Sequence, residues 1–189
     1  MPDFSARAKV SELMDDLSRP ASEFDQAGVE ELAQQTVAVL NVKSVPKEIF
    51  DRQLAFNVYP AMPGNEELIG RQIRSLIDPK TELALFNAQG TTFHSHTFSI
   101  FVKTHEDVSV ERITEALRKN PALAFAEGDQ AFGTIDAAGR DEVLIAEVRA
   151  DANVKRGFWV FAVCDNLRRS SALNAVLIAE KLLFDTNTN

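Results

Sequence analysis

One cysteine, Cys164, in 189 residues excludes an internal disulfide. No apolar run approaches the roughly 20 residues needed to cross a bilayer. The first residues also lack the charged-then-apolar pattern of a secretory leader. A cytoplasmic protein with no membrane partner is therefore expected. Basic charge is in short supply too: 20 Lys and Arg stand against 28 Asp and Glu, and they are scattered along the chain. A nucleic-acid surface needs clustered cations to neutralise phosphates, so nucleic acid is not an expected partner. No glycine-rich strand-to-helix loop is present, so these residues offer no backbone-amide cradle for a dinucleotide.

What is there suits a globular fold. A hydrophobic fraction of 45% with 25% charged residues is ordinary for a soluble domain and excludes disorder. Residues 1–18 are polar and mixed and read as an N-terminal arm, 19–184 as one domain, and 185–189 as a tail. Val29, Leu32, Thr36, Val39 and Leu40 recur at helical spacing and predict a first helix over 26–41. The segment 53–60 reads as a strand that stops at Pro60. Leu68, Ile69, Ile73, Leu76 and Ile77 predict a second helix over 65–78, with Asn65 as its cap and Pro79 past its end.

Strands are expected at 82–88 and 92–103. Ser109 then caps a helix over 110–119, whose core stripe is Ile113, Ala116 and Leu117. A short strand at 122–126 precedes strands at 142–149 and 157–163, joined by a hairpin connection at 151–156. A last helix is expected over 166–183. With no repeating strand-helix-strand period, the pattern predicts an α+β fold: a mixed, largely antiparallel sheet covered by helices on one face.

Two of the three histidines fall in Thr91-Thr92-Phe93-His94-Ser95-His96-Thr97-Phe98-Ser99-Ile100. The stretch reads as a strand, so alternation puts His94 and His96 on its apolar face with Phe98, Ile100 and Val102. A His-x-His pair can supply two zinc ligands, but a site needs a third or fourth, and His105 is poorly placed to be one. No metal site is therefore expected.

Three stretches carry a family resemblance: Gln26-Ala27-Gly28-Val29-Glu30-Glu31-Leu32, Gln53-Leu54-Ala55-Phe56-Asn57-Val58-Tyr59-Pro60, and a tail pairing Asp136 to Val143 with Asp165-Asn166-Leu167-Arg168-Arg169-Ser170-Ser171-Ala172-Leu173-Asn174-Ala175-Val176. Together they resemble the C-terminal dimerisation domain of aspartate-semialdehyde dehydrogenases, most of all the usg-type paralogues. The resemblance implies a glyceraldehyde-3-phosphate dehydrogenase-like C-terminal fold whose sheet forms much of a homodimer interface. It also implies a separate NADP-binding domain and a cysteine nucleophile, neither of which these residues supply. Cys164 ends an apolar run and reads as a buried small hydrophobe.

Carried over residue by residue, the resemblance leaves an incomplete site. The substrate-orienting glutamine falls at Arg19 or Pro20. Glu66 and Glu67 match an acidic pair, while the phosphate-binding lysine is replaced by Ile69. The carboxylate-binding arginine falls at Asn87, which cannot make the charged fork. His94 is the expected relict of the acid–base histidine. Asn166 and Arg168 are weaker candidates for cofactor contact, and helix capping by Asp165 or Asn166 is the competing reading. The expected protein is non-catalytic, has no cofactor of its own and acts through dimerisation or a dehydrogenase-type partner. The alternative is the C-terminal half of a split or truncated NADP-dependent semialdehyde dehydrogenase in amino-acid biosynthesis.

Overall fold

The computed structural model describes residues 10–61, 66–78, 80–127 and 131–184. One seven-stranded sheet organises them, in the order β2-β3-β1-β4-β7-β6-β5. The strands are β1 (Val10–Arg19), β2 (Tyr59–Pro60), β3 (Glu82–Gln89), β4 (His96–Thr104), β5 (Leu123–Phe125), β6 (Val143–Ala150) and β7 (Gly157–Cys164). The β1/β3 and β5/β6 pairs are parallel and the remaining neighbours antiparallel. The helices are α1 (Asp25–Leu40), α2 (Glu66–Leu76), α3 (Val110–Arg118), α4 (Thr134–Ala137) and α5 (Asn174–Phe184). This is the expected α+β architecture.

The expected arm is, over its described part, a strand near the middle of the sheet. β1 hydrogen-bonds β3 on one side and β4 on the other, from Leu13 opposite Leu83 and Val102 to Ser18 opposite Ala88 and Thr97. The expected tail lies outside the described residues, as do Asn65 and Pro79.

Loop 42–58 follows α1 and owes its shape to that helix. The buried positions of α1 are Gly28, Glu31, Leu32, Gln35 and Ala38, so its inner stripe is rotated from the apolar one expected, and Leu40 is exposed. Two polar residues face inward because they serve the loop backbone. Glu31 accepts from the N–H groups of Glu48, Ile49 and Phe50 at 2.6–2.9 Å. Gln35 accepts from Leu54 and Ala55 N–H and donates to the carbonyls of Pro46 and Arg52. Those contacts, with Phe56 at φ 59°, keep 53–58 out of the sheet, so only Tyr59 and Pro60 of the expected 53–60 strand pair with β3. Gly28 is required here: a Cβ would sit 2.4 Å from the Ala21 carbonyl oxygen.

α2 packs its Gly70 against Leu83 and Leu85 of β3. The short α4 lies over the opposite face, so helices cover both faces and not the single one expected; there Ala137, Leu144 and Val163 form a buried cluster with Phe132 and Phe161 against it. Ser109 caps α3 by accepting from Arg112 N–H, as expected. The last helix is in two parts, a π-helical segment (Arg168–Leu173) followed by α5.

Candidate functional site

Strand directions gather chemistry at one end of the sheet. β1 and β3 run parallel and finish at Arg19 and Gln89. β4 starts at this end with His96, and β7 finishes opposite it at Cys164. Four central strands therefore deliver Arg19, Gln89, His96 and the Cys164-Asp165-Asn166 corner to a common pole.

At that pole the chain leaves β1 through Pro20 into a 3₁₀ turn, Ala21–Phe24, that carries Glu23. The Glu23 carboxylate sits between two donors: Arg19 reaches Oε2 through Nε and Nη2, and His96 Nε2 reaches Oε1. All three side chains are largely enclosed, Arg19 at 25%, Glu23 at 17% and His96 at 14% exposure. Burial alone would raise the Glu23 pKa, but the hydrogen bonds from His96 and Arg19 outweigh it and hold the carboxyl below its ordinary value. The His96 ring packs edge-on against Phe98, with centroids 5.9 Å apart.

The shared histidine face expected from alternation does not form. β4 begins at His96, and Ser95 before it has φ 75°, a left-handed conformation that breaks strand periodicity. His94 is exposed outside the strand, whereas His96 is half-buried within the cluster. Among the described residues, no group of three or more His, Cys, Asp or Glu side chains is arranged to hold a metal.

Asn166 braces the pole. It is buried; its Oδ1 accepts from Ser95 N–H at 2.9 Å and from the Ser22 hydroxyl at 3.1 Å, and its Nδ2 lies 2.9 Å from Ser22 Oγ. These bonds occupy its side-chain amide inside the fold. Asp165 is the cap: Oδ1 accepts from Leu167 and Arg168 N–H, each at 2.8 Å, and Oδ2 from Gly139 N–H at 2.6 Å. Arg168 turns to the surface and pairs with Asp141, whose carboxyl it holds below the usual range. Cys164 is buried, which pushes its thiol up to about 11.

Glu66 and Asn87 come together, Asn87 Nδ2 donating to Glu66 Oε1 at 3.2 Å. Ile69 is half-buried, and Glu67 is exposed beside a groove lined by Glu66, Gly70, Arg74, Leu83 and Leu85. Gln89 donates to the Arg19 carbonyl and fixes the end of β1. Arg19, Glu23 and His96 are not expected as a set from the sequence. The available signal was the chain turning at Pro20, just after Arg19, which puts Glu23 one helical turn from that arginine.

Comparison with known proteins places the fold within a family. The model for the semialdehyde dehydrogenase dimerisation domain matches residues 21–169. A USG-1 protein homolog of Azotobacter vinelandii is 29% identical over 174 residues, covering 87% of this chain and 52% of that protein. Aspartate-semialdehyde dehydrogenase 2 of Vibrio cholerae is 29% identical, covering 85% and 50%. Among solved structures, aspartate semialdehyde dehydrogenase II complexed with ASA from Vibrio cholerae superposes with a TM-score of 0.86 at 26% identity, covering 93% of this chain and 55% of that one. A probable aspartate-semialdehyde dehydrogenase from Pseudomonas aeruginosa gives 0.86 at 28%, covering 93% and 56%. The chain thus spans about half the length of the relatives it matches. The chain belongs to the semialdehyde dehydrogenase dimerisation-domain family.

Proposed function

We propose that this chain is a non-catalytic paralogue of aspartate-semialdehyde dehydrogenase that acts by dimerising or by binding a protein partner. One observation carries the reading. At the positions where the resemblance implies cations for phosphate and carboxylate, there stand Ile69, which has no donor, and Asn87, whose amide is engaged by Glu66. A charge-assisted hydrogen bond contributes roughly 1.5–3 kcal/mol, so losing both contacts removes several kcal/mol of transition-state binding whatever domain is added.

The sheet supports self-association. Met14 of β1 pairs with Ala84 of β3 and Phe101 of β4, and Phe101 with Trp159 of β7, so these side chains share one face with Phe86. Met14 is 50% and Phe86 52% exposed, leaving an apolar strip for a second copy to cover.

A second reading, the C-terminal half of an NADP-dependent semialdehyde dehydrogenase, is favoured by α5. Val176, Leu177, Ile178, Leu182 and Leu183 are all exposed on α5, which continues directly from the π-helical segment Arg168–Leu173. Five exposed apolar side chains within the 11 residues of α5 form a patch that calls for a cover such as a nucleotide-binding domain. The test mixes this chain with a separately produced nucleotide-binding polypeptide bearing the Asn-Cys-Thr nucleophile and follows phosphate- and aldehyde-dependent NADP reduction. No activity above that of the added polypeptide alone is expected. Restored turnover overturns the non-catalytic reading in favour of the second.

A further inference from the structure

We propose that Arg19 and His96 form a receptor for a small carboxylate, and that the side chain of Glu23 is its built-in occupant. The donors come from different strands, Arg19 at the end of β1 and His96 at the start of β4, and each engages a different oxygen of the same carboxylate. Such charge-assisted, two-sided binding is how proteins hold carboxylate ligands. Here the ligand belongs to the chain itself.

The backbone around the receptor is held by bonds that do not involve the Glu23 carboxylate. Ala21 N–H donates to the Thr92 carbonyl at 2.8 Å and Ser22 N–H to the Phe93 carbonyl at 3.0 Å, so the turn that carries Glu23 is tied down through its backbone. Ser22 is held a second time by Asn166. The Arg19 carbonyl accepts from Gly90 N–H and from Gln89. His96 is fixed by its register opposite Cys164 and by the Phe98 ring. Beside it, the Ser95 hydroxyl is fully buried with no hydrogen-bond partner among the described residues, a further polar group left over at the pole.

Truncating Glu23 to alanine removes one methylene and the carboxylate, the heavy atoms of an acetate ion, and leaves both donor side chains in the chain. In the intact protein an external carboxylate must displace a tethered one, whose effective concentration is in the millimolar range or above. The self-filled state therefore excludes free small carboxylates, and any motion that withdraws the Ala21–Phe24 turn opens the site. This inference does not rest on the non-catalytic reading, because both donors and the carboxylate between them belong to this chain.

The test titrates sodium acetate into Glu23→Ala and wild type, with sodium chloride at matched ionic strength as control, reading heat of binding and thermal midpoint. Saturable binding by Glu23→Ala with a dissociation constant on the order of millimolar is expected for so few atoms. A rise in thermal midpoint with acetate but not chloride should accompany it, with neither effect in wild type or in Arg19→Met/Glu23→Ala. Glu23→Ser, with a small polar side chain, provides the same readout should the alanine variant not fold. Identical responses to acetate and chloride in whichever variant folds, or wild-type binding as tight as the variant's, would overturn the proposal. So would failure of both variants to fold in the presence of acetate, since the turn would then depend on Glu23.

Discussion

Replacing Asn166 by alanine should cost about 3 kcal/mol of folding stability. The value follows from what is orphaned: Ser95 N–H, fully buried, loses its acceptor at 2.9 Å, and the Ser22 hydroxyl, 3% exposed, loses its partner. An unsatisfied buried polar group costs roughly 1–3 kcal/mol, and the vacated volume adds a smaller cavity cost. Asn166→Asp keeps an acceptor for Ser95 N–H and gives up only the donor toward Ser22, but it buries a charge beside Asp165. It should therefore fall between wild type and alanine in low-pH buffer and lose that advantage as pH rises. Urea unfolding at fixed protein concentration provides the values, with the concentration held because association shifts apparent stability. A loss below about 0.5 kcal/mol for Asn166→Ala would refute the brace, because no pair of orphaned buried groups costs so little.

Gln35→Leu should lower stability by about 3 kcal/mol or more and expose loop 42–58 to proteolysis, because two N–H groups and two carbonyls lose their partner together; native-state proteolysis and thermal melting check it. Cys164 should react with a thiol reagent at pH 7.5 only after denaturation, since burial pushes its thiol up to about 11 and leaves little thiolate. Rapid labelling of the native protein would contradict that. The folded-state pKa of Glu23 lies below its ordinary value of 4.5, so its ionic contribution is complete above 4.5 and is lost as pH falls through the folded value. Melting curves at pH 6 and pH 3 should accordingly show the advantage of wild type over Glu23→Gln narrowing at the lower pH; a gap that widens has the wrong sign. Phe86→Glu should weaken self-association at least tenfold in sedimentation without unfolding the chain, because Phe86 is half-exposed on the strip proposed as the interface.

Much of the fold was legible because periodicity and capping are local. Ser109 before α3 and Asp165 before the last helical stretch announce their roles by residue type and position. β1 was hidden because Asp15-Asp16 interrupts the alternation of Leu13 and Leu17, and its place in the sheet comes from backbone pairing on both edges, which side-chain pattern does not encode. The inner stripe of α1 was misread because Glu31 and Gln35 look solvated by composition, yet they face inward to satisfy a loop up to 20 positions away. The site failed at Ser95: a positive φ at a residue other than glycine is set by the tertiary brace from Asn166, and it separates His94 from the strand that His96 begins. The union of Arg19, Glu23 and His96 needs β1 in place, so missing that strand also hid the cluster.

The most direct test of self-association is the solution mass by light scattering over a tenfold dilution series. The open apolar strip and the family's dimerisation role predict twice the 20.9 kDa chain mass, unchanged by dilution. A constant monomer mass would contradict a homodimer and leave the exposed face of Met14 and Phe86 to a different protein.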